Sequence, residues 1–380
     1  MKSADMFDVL IVYSETIAMS SLSQEDEQPF PLGKYSHYNN AYAYFMSVCQ
    51  VNGLSVAFTT SKDIVGSGEC KSYWILKENN WLKINRRGRS ILIFDKLFPT
   101  SLSLRSKRDM LLASPRVISY SDGFLFDLFF DKQKTHDHLS SFSIPTITID
   151  SDKITEIDAL LDALGKITNT HGAKNDFTTS FILKDRFGAG GNSIYKIDSD
   201  FAKTIQDILF SNPTKSFILQ PFVSFGKGYG FKNFVSATDI RIIFEGKKII
   251  QTYVRMAKTN DFRCNEEQGG TLIYTEQKDI PKKVLDSAEE IAKGLDKKNS
   301  LFALDFIVTD GGSIFLLEGN NCPGIDWNLE LPKNEKKSKE LIRIIVKELG
   351  VRAGFQKSEF MNSLESIYGY KKDSSLDLKN

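Results

Sequence analysis

Apolar positions in this chain come in short blocks between polar loops, and the blocks alternate between strand length and helix length. "FDVLIVY" (residues 7–13) is a near-continuous apolar run, as a strand buried on both faces requires. After the long polar loop "SSLSQEDEQPFPLG", Tyr38, Ala41, Tyr42, Phe45, Val48 and Cys49 recur at helical spacing, and Gly53 follows where a C-cap glycine belongs. "LSVAFTT" (54–60) and "SILIFDKLFP" (90–99) return to strand texture. Strand, helix, strand in this order predicts a parallel α/β unit, whose ligands bind at the carboxyl ends of the strands.

From residue 129 the texture changes. "FFDKQKTHDHLSSFSIPTITID" predicts a helix ending before a proline-containing strand, with His136 and His138 at a helix start on the surface. "KITEIDALLDALGKI" is an amphipathic helix, and "FILKDRFGAGGNSIY" (181–195) reads as strand, supple loop and strand. A tight hairpin needs only two turn residues, and a dinucleotide fingerprint runs from its glycines into a helix, so the small residues 188–191 fit neither. A helix ("KTIQDILF") and a strand ("SFILQPFV") come next, then two strands about a turn at residues 245–247. The helix "PKKVLDSAEEIAKGL", two strands about Asp310, Gly311 and Gly312, and the helix "SKELIRIIVKEL" complete the pattern. The tail "KKDSSLDLKN" is charged and expected to fray.

Composition narrows the classes. The 380 residues suit two or three domains, and 49 basic against 48 acidic side chains leave a net charge of +1, which argues against a broad nucleic-acid surface. The basic run "NRRGR" (85–89) reads as a solvated loop. Cys49, Cys70, Cys264 and Cys322 are too scattered for a zinc framework and suit free thiols in a reducing cytoplasm. The apolar run near the N-terminus is too short for a signal peptide or a membrane span.

Three groups of residues carry chemistry. Asp305 lies on one strand, with Glu318 and Asn320 on one face of the next, so a turn between the strands sets the three donors side by side. Two carboxylates and an amide oxygen suit magnesium completed by phosphate oxygens; they also suit strand ends that merely accept hydrogen bonds. The second group is basic. Asp239 and Arg241 share a strand face, with Arg255 and Lys258 beyond the next strand, then Arg263, Asn265 and the pair Gly269–Gly270. Guanidinium groups on strands call for anionic partners, a carboxylate or a phosphoryl group among them, although surface strands with scattered charge are an alternative. Third, Lys132 and Lys184 flank the loop of Gly188, Gly190 and Gly191, whose backbone can approach polyphosphate closely. Its spacing is that of neither the P-loop nor the kinase loop.

Taken in order, Lys132, "FILKDRFGAGGNSIY", "FILQPFV", "DIR", "RMAKTNDFRCNEEQGG", "ALDF" and "LLEGNNCPG" closely resemble the ATP-grasp fold, in particular RimK-like ligases and bacterial glutathione synthetases, over about residues 129–330. The resemblance implies an α/β protein: an N-terminal α/β pre-ATP-grasp domain (1–128), then two α+β subdomains clasping ATP. These are a lid or central subdomain (129–222) and a C-terminal subdomain with the metal site (223–355), followed by a tail (356–380). It implies that Lys132 and Lys184 contact the ATP phosphates under a mobile lid containing Gly188, Gly190 and Gly191. Gln220, Phe222 and Val223 form the adenine hinge, in which Pro221 stands where the family usually has an acidic residue, and Asp239 belongs to the ATP site. Asp305, Glu318 and Asn320 would hold two Mg2+ ions, with Mn2+ an alternative, and Arg241 and Arg255 would be catalytic. Lys258, Arg263, Asn265 and Gly324, with Asp326 beside it, would approach substrate.

The implied activity is ATP-dependent joining of a carboxylate to an amine through an acylphosphate. The partners are small-molecule or peptide carboxylates and amines, with no nucleic acid and no membrane, in a cytoplasmic protein for which a homodimer is compatible. An ATP-grasp kinase and a nucleotide-binding regulator without turnover are the alternatives. "GKYSHYNNAYAYF" offers either an acidic-group site or tyrosine packing.

Overall fold

The computed structural model describes residues 3–23, 30–33, 35–232, 235–325 and 332–368. The chain forms two compact units, residues 1–120 with 338–380, and residues 121–337. Asp326 and the tail from residue 369 lie outside the described residues.

In the first unit the apolar runs become β1 (Val9–Tyr13), β2 (Val56–Thr60) and, after a hairpin of β3 (Tyr73–Lys77) and β4 (Asn80–Ile84), β5 (Leu92–Lys96) and the short β6 (Ile118–Ser119). They form one sheet in the order β6-β5-β1-β2-β3-β4. β1 runs parallel to β2 and to β5, because helix α1 (Ser36–Val51) returns the chain to the starting edge before β2. All five residues of β1 are buried, which explains their unbroken apolar run. α1 ends where Gly53 takes a φ of +74°. Helix α2 (Leu102–Leu111) buries Leu104 and Leu111 against Leu10, Val12 and Ile93. Each fully buried side chain of this size contributes about 1.5–3 kcal/mol. The segment 64–89, which carries no strong sequence pattern, holds the β3–β4 hairpin and three strands of a small second sheet, whose fourth is Asp5–Met6.

The second unit begins with α3 (Gly123–Phe130) and α4 (Lys132–His138). Asp131 caps α4 by accepting from the backbone N–H groups of Gln133 and Lys134, so the helix starts at Lys132, and His136 and His138 sit in its last turn rather than at a start. Two antiparallel sheets follow. The first contains β7 (Ile147–Ile149), β8 (Phe177–Asp185), β9 (Ile194–Ile197) and β10 (Phe217–Val223), in the order β7-β10-β8-β9. Helices α5 (Ile157–Thr170) and α6 (Phe201–Ser211) bury Leu164, Ile205 and Leu209 against its Leu183 and Leu219. The second contains β11 (Thr238–Glu245), β12 (Lys248–Met256), β13 (Thr271–Thr275), β14 (Leu301–Val308) and β15 (Ile314–Asn320), in the order β13-β12-β11-β14-β15. Helix α7 (Lys282–Leu295) packs Val284, Ala288 and Ile291 on Ile242, Phe302 and Leu304. The last helix, α8, runs Pro332–Tyr368. Among the described residues no helix is long and apolar enough to cross a membrane.

Candidate active site

Register in the second sheet fixes the charged cluster. Arg241 of β11 stands opposite Asp305 of β14 on one side and Tyr253 of β12 on the other, Asp239 stands opposite Arg255, and Asp305 stands opposite Glu318 of β15. Asp305 is completely buried. Its carboxylate accepts from Arg241 Nε at 2.6 Å and Nη2 at 2.5 Å, and from Arg255 Nη2 at 2.7 Å. Arg255 also donates to both oxygens of Asp239, at 2.8 and 2.9 Å, and Arg241 Nη1 donates to the Tyr253 hydroxyl at 3.1 Å. Burial alone would raise the Asp305 pKa, but the two guanidinium groups hold it well below the usual carboxylate range. Two arginines within one carboxylate's reach are tolerated because Asp239 shares the charge.

Lys132 and Lys184 face this cluster. Lys184, on β8, is buried, and that burial, with Lys132 nearby, pushes its pKa down to about 8; burial also lowers Lys132. The base of the glycine loop is clamped by Arg186, which donates from Nε and Nη2 to Asp131, each at 2.7 Å. Asp131 therefore caps the helix that starts with Lys132 and holds the strand end after Lys184. The Lys132 ammonium donates to the Gly188 carbonyl. Gly190 takes a φ of +68°, which favours glycine, and a Cβ there would displace the Glu267 carboxylate, which it would meet at 2.0 Å. Gln268 Nε2 donates there to the Gly190 carbonyl at 3.2 Å.

The two sheets enclose a cleft with about 900 Å³ of atom-free space, including its opening to solvent. One end is apolar, walled by Ile144, Ile182, Phe225, Phe262, Ile307 and Leu317. β7 pairs with β10 only over residues 217–219, so the outer edge of residues 220–223 lines the cleft. The Phe222 carbonyl accepts from Thr178 Oγ1 of β8 at 3.1 Å. Alternation along the strand therefore aims the Pro221 carbonyl and the Val223 N–H and C=O groups into the cleft. Proline at an edge whose N–H is not used costs the sheet nothing.

Of the residues singled out in the sequence, Lys132, Lys184, Gly188, Gly190, Gly191, Gln220, Phe222, Val223, Asp239, Arg255, Arg263, Asn265, Asp305 and Glu318 all line this cleft. Arg241 stands behind Asp305, and Asn320 Nδ2 lies 3.5 Å from Asp305 Oδ2. Lys258 and Gly324 do not line it; Lys258 is exposed, 3.8 Å from Asp261, which also binds Arg263 at 3.0 Å. Asp131, Arg186 and Tyr253 were not singled out. Asp131 was legible as an N-cap directly before Lys132, whereas nothing local marks the other two.

The donor set fits a divalent cation. Glu318, with its side chain one-third exposed, reaches the cleft 3.6 Å from Arg241, and among the described residues one hydrogen-bond donor, Arg241 Nε, is seen on Asp305 Oδ1, which leaves it a lone pair. Among the described residues no three His, Cys, Asp or Glu side chains form a cage. Two carboxylates and an amide leave most of the shell to phosphate oxygens and water, as Mg2+ prefers.

The family model of the RimK-like ATP-grasp domain matches residues 153–346. No curated protein matches this chain in sequence. Among solved structures, D-alanyl-alanine synthetase A from Vibrio cholerae is similar at 13% identity, over 92% of this chain and 99% of that one (TM-score 0.56). A ligase from Chryseobacterium gregarium, RiPP-associated and in complex with ADP and a leader and core peptide, is similar at 12% identity over 90% and 97% (TM-score 0.52). The ATP-grasp ligase PsnB, complexed with a phosphomimetic variant of its minimal precursor, Mg and ADP, is similar at 11% identity over 91% and 100% (TM-score 0.51). At these identities the likeness establishes the fold.

Proposed function

The chain belongs to the RimK-like ATP-grasp family, and from that premise we propose that it is an ATP- and Mg2+-dependent ligase that joins a carboxylate to an amine, its substrates amino acids, peptides or a protein terminus. One observation carries the reading: Lys132, Lys184, Arg255 and the carboxylates of Asp239, Asp305 and Glu318 converge, with Arg241 behind them, at the polar end of a cleft whose other end is apolar and edged by the backbone of residues 221–223. Adenine fits the apolar end, its amino group donating to the Pro221 carbonyl and a ring nitrogen accepting from the Val223 N–H. The absence of an acidic side chain at 221 leaves both backbone groups in place.

A carboxylate is a poor electrophile. In the first half-reaction a carboxylate oxygen attacks the terminal phosphorus of ATP and ADP leaves, giving an acylphosphate. In the second the amine attacks the acyl carbon, loses a proton, and phosphate departs with one oxygen of the original carboxylate. Both reactants of the first step are anions, so cationic groups fixed beforehand supply most of the acceleration. Lys132 and Lys184 neutralise phosphate oxygens, and Arg255 meets the phosphoryl group in transfer. Arg241 and Asp239 hold Asp305 and Arg255 in place. Asp305, Glu318 and Asn320 would hold Mg2+, which would supply Lewis-acid stabilisation of the charge that builds up during phosphoryl transfer. The loop over residues 186–193 excludes water from the acylphosphate.

Lys184 carries a pH signature. With its pKa near 8, the ammonium is present below that pH and lost above it, so kcat/KM for ATP falls as pH rises through about 8. In Lys184→Arg the guanidinium stays charged and that fall disappears; a wild-type profile flat to pH 9 would mean that the ammonium keeps its proton there, and an unchanged KM for ATP in Lys184→Ala would remove Lys184 from the phosphate site.

The activity itself is tested by presenting amino acids and short peptides in pairs with ATP and Mg2+, following phosphate release and product mass. Release that requires both partners, with a product lighter than their sum by one water, supports the ligase. Phosphate transferred to a stable acceptor without an amine would make the protein a kinase, and ATP binding without turnover on any pair would make it a regulator.

A further inference from the structure

Among the described residues the β3–β4 hairpin leaves one strand edge without a neighbour, and that edge is basic. β4 pairs with β3 alone, in unbroken register from Tyr73–Ile84 to Lys77–Asn80. The turn residues Glu78 and Asn79 have φ values of 50° and 64°, the geometry of a two-residue hairpin in which Lys77 and Asn80 close the ladder. Alternation then points the N–H and C=O groups of Trp81 and Lys83 away from β3. Among the described residues no backbone hydrogen bond reaches them.

Exposed edges are ordinarily blunted by proline, by a bulge or by a lysine reaching across. β4 has neither proline nor bulge. Lys83 does not reach across the edge: its ammonium lies over the sheet face, 3.0 Å from the Ser23 carbonyl and 5.5 Å from the Trp74 ring centre. Ser21 Oγ meets β4 only at its last residue, 3.3 Å from the Ile84 carbonyl. Residues 77–89 carry Lys77, Lys83, Arg86, Arg87 and Arg89 against Glu78 alone, in a chain whose net charge is +1. Arg86 and Arg89 pair with Asp5 and Glu69, whereas Lys77 and Arg87 are exposed and no ion pair reaches them among the described residues. Leu82 leaves 38% of its surface open beside them.

An unblunted strand edge supplies backbone hydrogen bonds to any extended peptide, and the flanking cations select an acidic one. We propose that the outer edge of β4 docks an extended acidic segment of the peptide on which the enzyme acts, by strand addition. The identity of the occupant rests on the ligase reading. Docking is measured without ATP, so its failure and the failure of that reading are separable.

The probe is a fluorescein-labelled nonapeptide of alternating glutamate and valine, titrated with the full-length protein and followed by anisotropy. Saturable binding is expected. Lys83→Pro, which removes an outward N–H and leaves the β3 ladder whole, weakens it about tenfold, the loss of one hydrogen bond. The double variant Lys77→Glu/Arg87→Glu also weakens it at least about tenfold and flattens its salt dependence. If Lys83→Pro lowers the thermal midpoint, the charge-reversal variant decides alone. No binding by the wild-type chain, binding unchanged in both variants, or equal binding of a glutamate–proline peptide that cannot add as a strand would each overturn the proposal, the last reducing the strip to a plain anion patch.

Discussion

Asp305→Ala is expected to lose both turnover and stability, with a fall of about 3–5 kcal/mol in folding free energy and of roughly 10 °C in thermal midpoint. Asp305 has no exposed surface and, among the described residues, is the one carboxylate bonded to both Arg241 and Arg255. Its removal leaves Arg255 with Asp239, but Arg241 keeps only the neutral Tyr253 hydroxyl and a Glu318 oxygen 3.6 Å away. A buried guanidinium deprived of its partner costs far more than the pair contributed. The same pairing sets the acid response. Because the folded-state pKa of Asp305 is depressed, its contribution is fully present above the unfolded value of about 4 and is lost as pH falls below that, through the folded pKa. Calorimetry of the variant at neutral pH checks the first statement; an unchanged midpoint would mean that the arginines find other partners.

Glu318→Ala is expected to behave in the opposite way, with Mg2+-dependent turnover reduced about a thousandfold or more and the thermal midpoint nearly unmoved. Its side chain is one-third exposed and approaches Arg241 only at 3.6 Å, an arrangement that contributes little to folding. Two carboxylates standing opposite one another on paired strands thus divide the work: one is locked into the sheet by arginines, the other faces the cleft. Steady-state ADP formation with Mg2+ and Mn2+, alongside thermal unfolding, reads both effects. Full activity in Glu318→Ala would remove that residue from the metal site.

Where a turn and its flanking strands lie close in sequence, the site could be read in advance. The turn at Asp310 and Gly311 sets Asp305 beside Glu318, whereas Arg255, expected beyond its strand, lies on β12 opposite Asp239. The glycine loop was legible for the same reason, as the link between the paired β8 and β9. The partners of the arginines were not. Arg241 and Asp305 are 64 residues apart, and no local pattern says that a strand arginine will face a carboxylate three strands later. Asp131 and Arg186, 55 residues apart, show the same limit. The β3–β4 hairpin went unread because its turn reaches positive φ with Glu78 and Asn79 instead of glycine, and because β4 is too exposed to alternate cleanly. The sequence pattern places the histidines at a helix start, whereas the cap at Asp131 starts that helix at Lys132 and leaves them in its last turn.

The central claim is that a carboxylate is activated by phosphorylation before the amine attacks. The most direct measurement supplies the carboxylate substrate found in the paired screen with both oxygens replaced by oxygen-18, and analyses the released phosphate by mass spectrometry. Passage through an acylphosphate predicts one labelled oxygen in each phosphate formed together with product; phosphate free of label, formed with that same product, would contradict it.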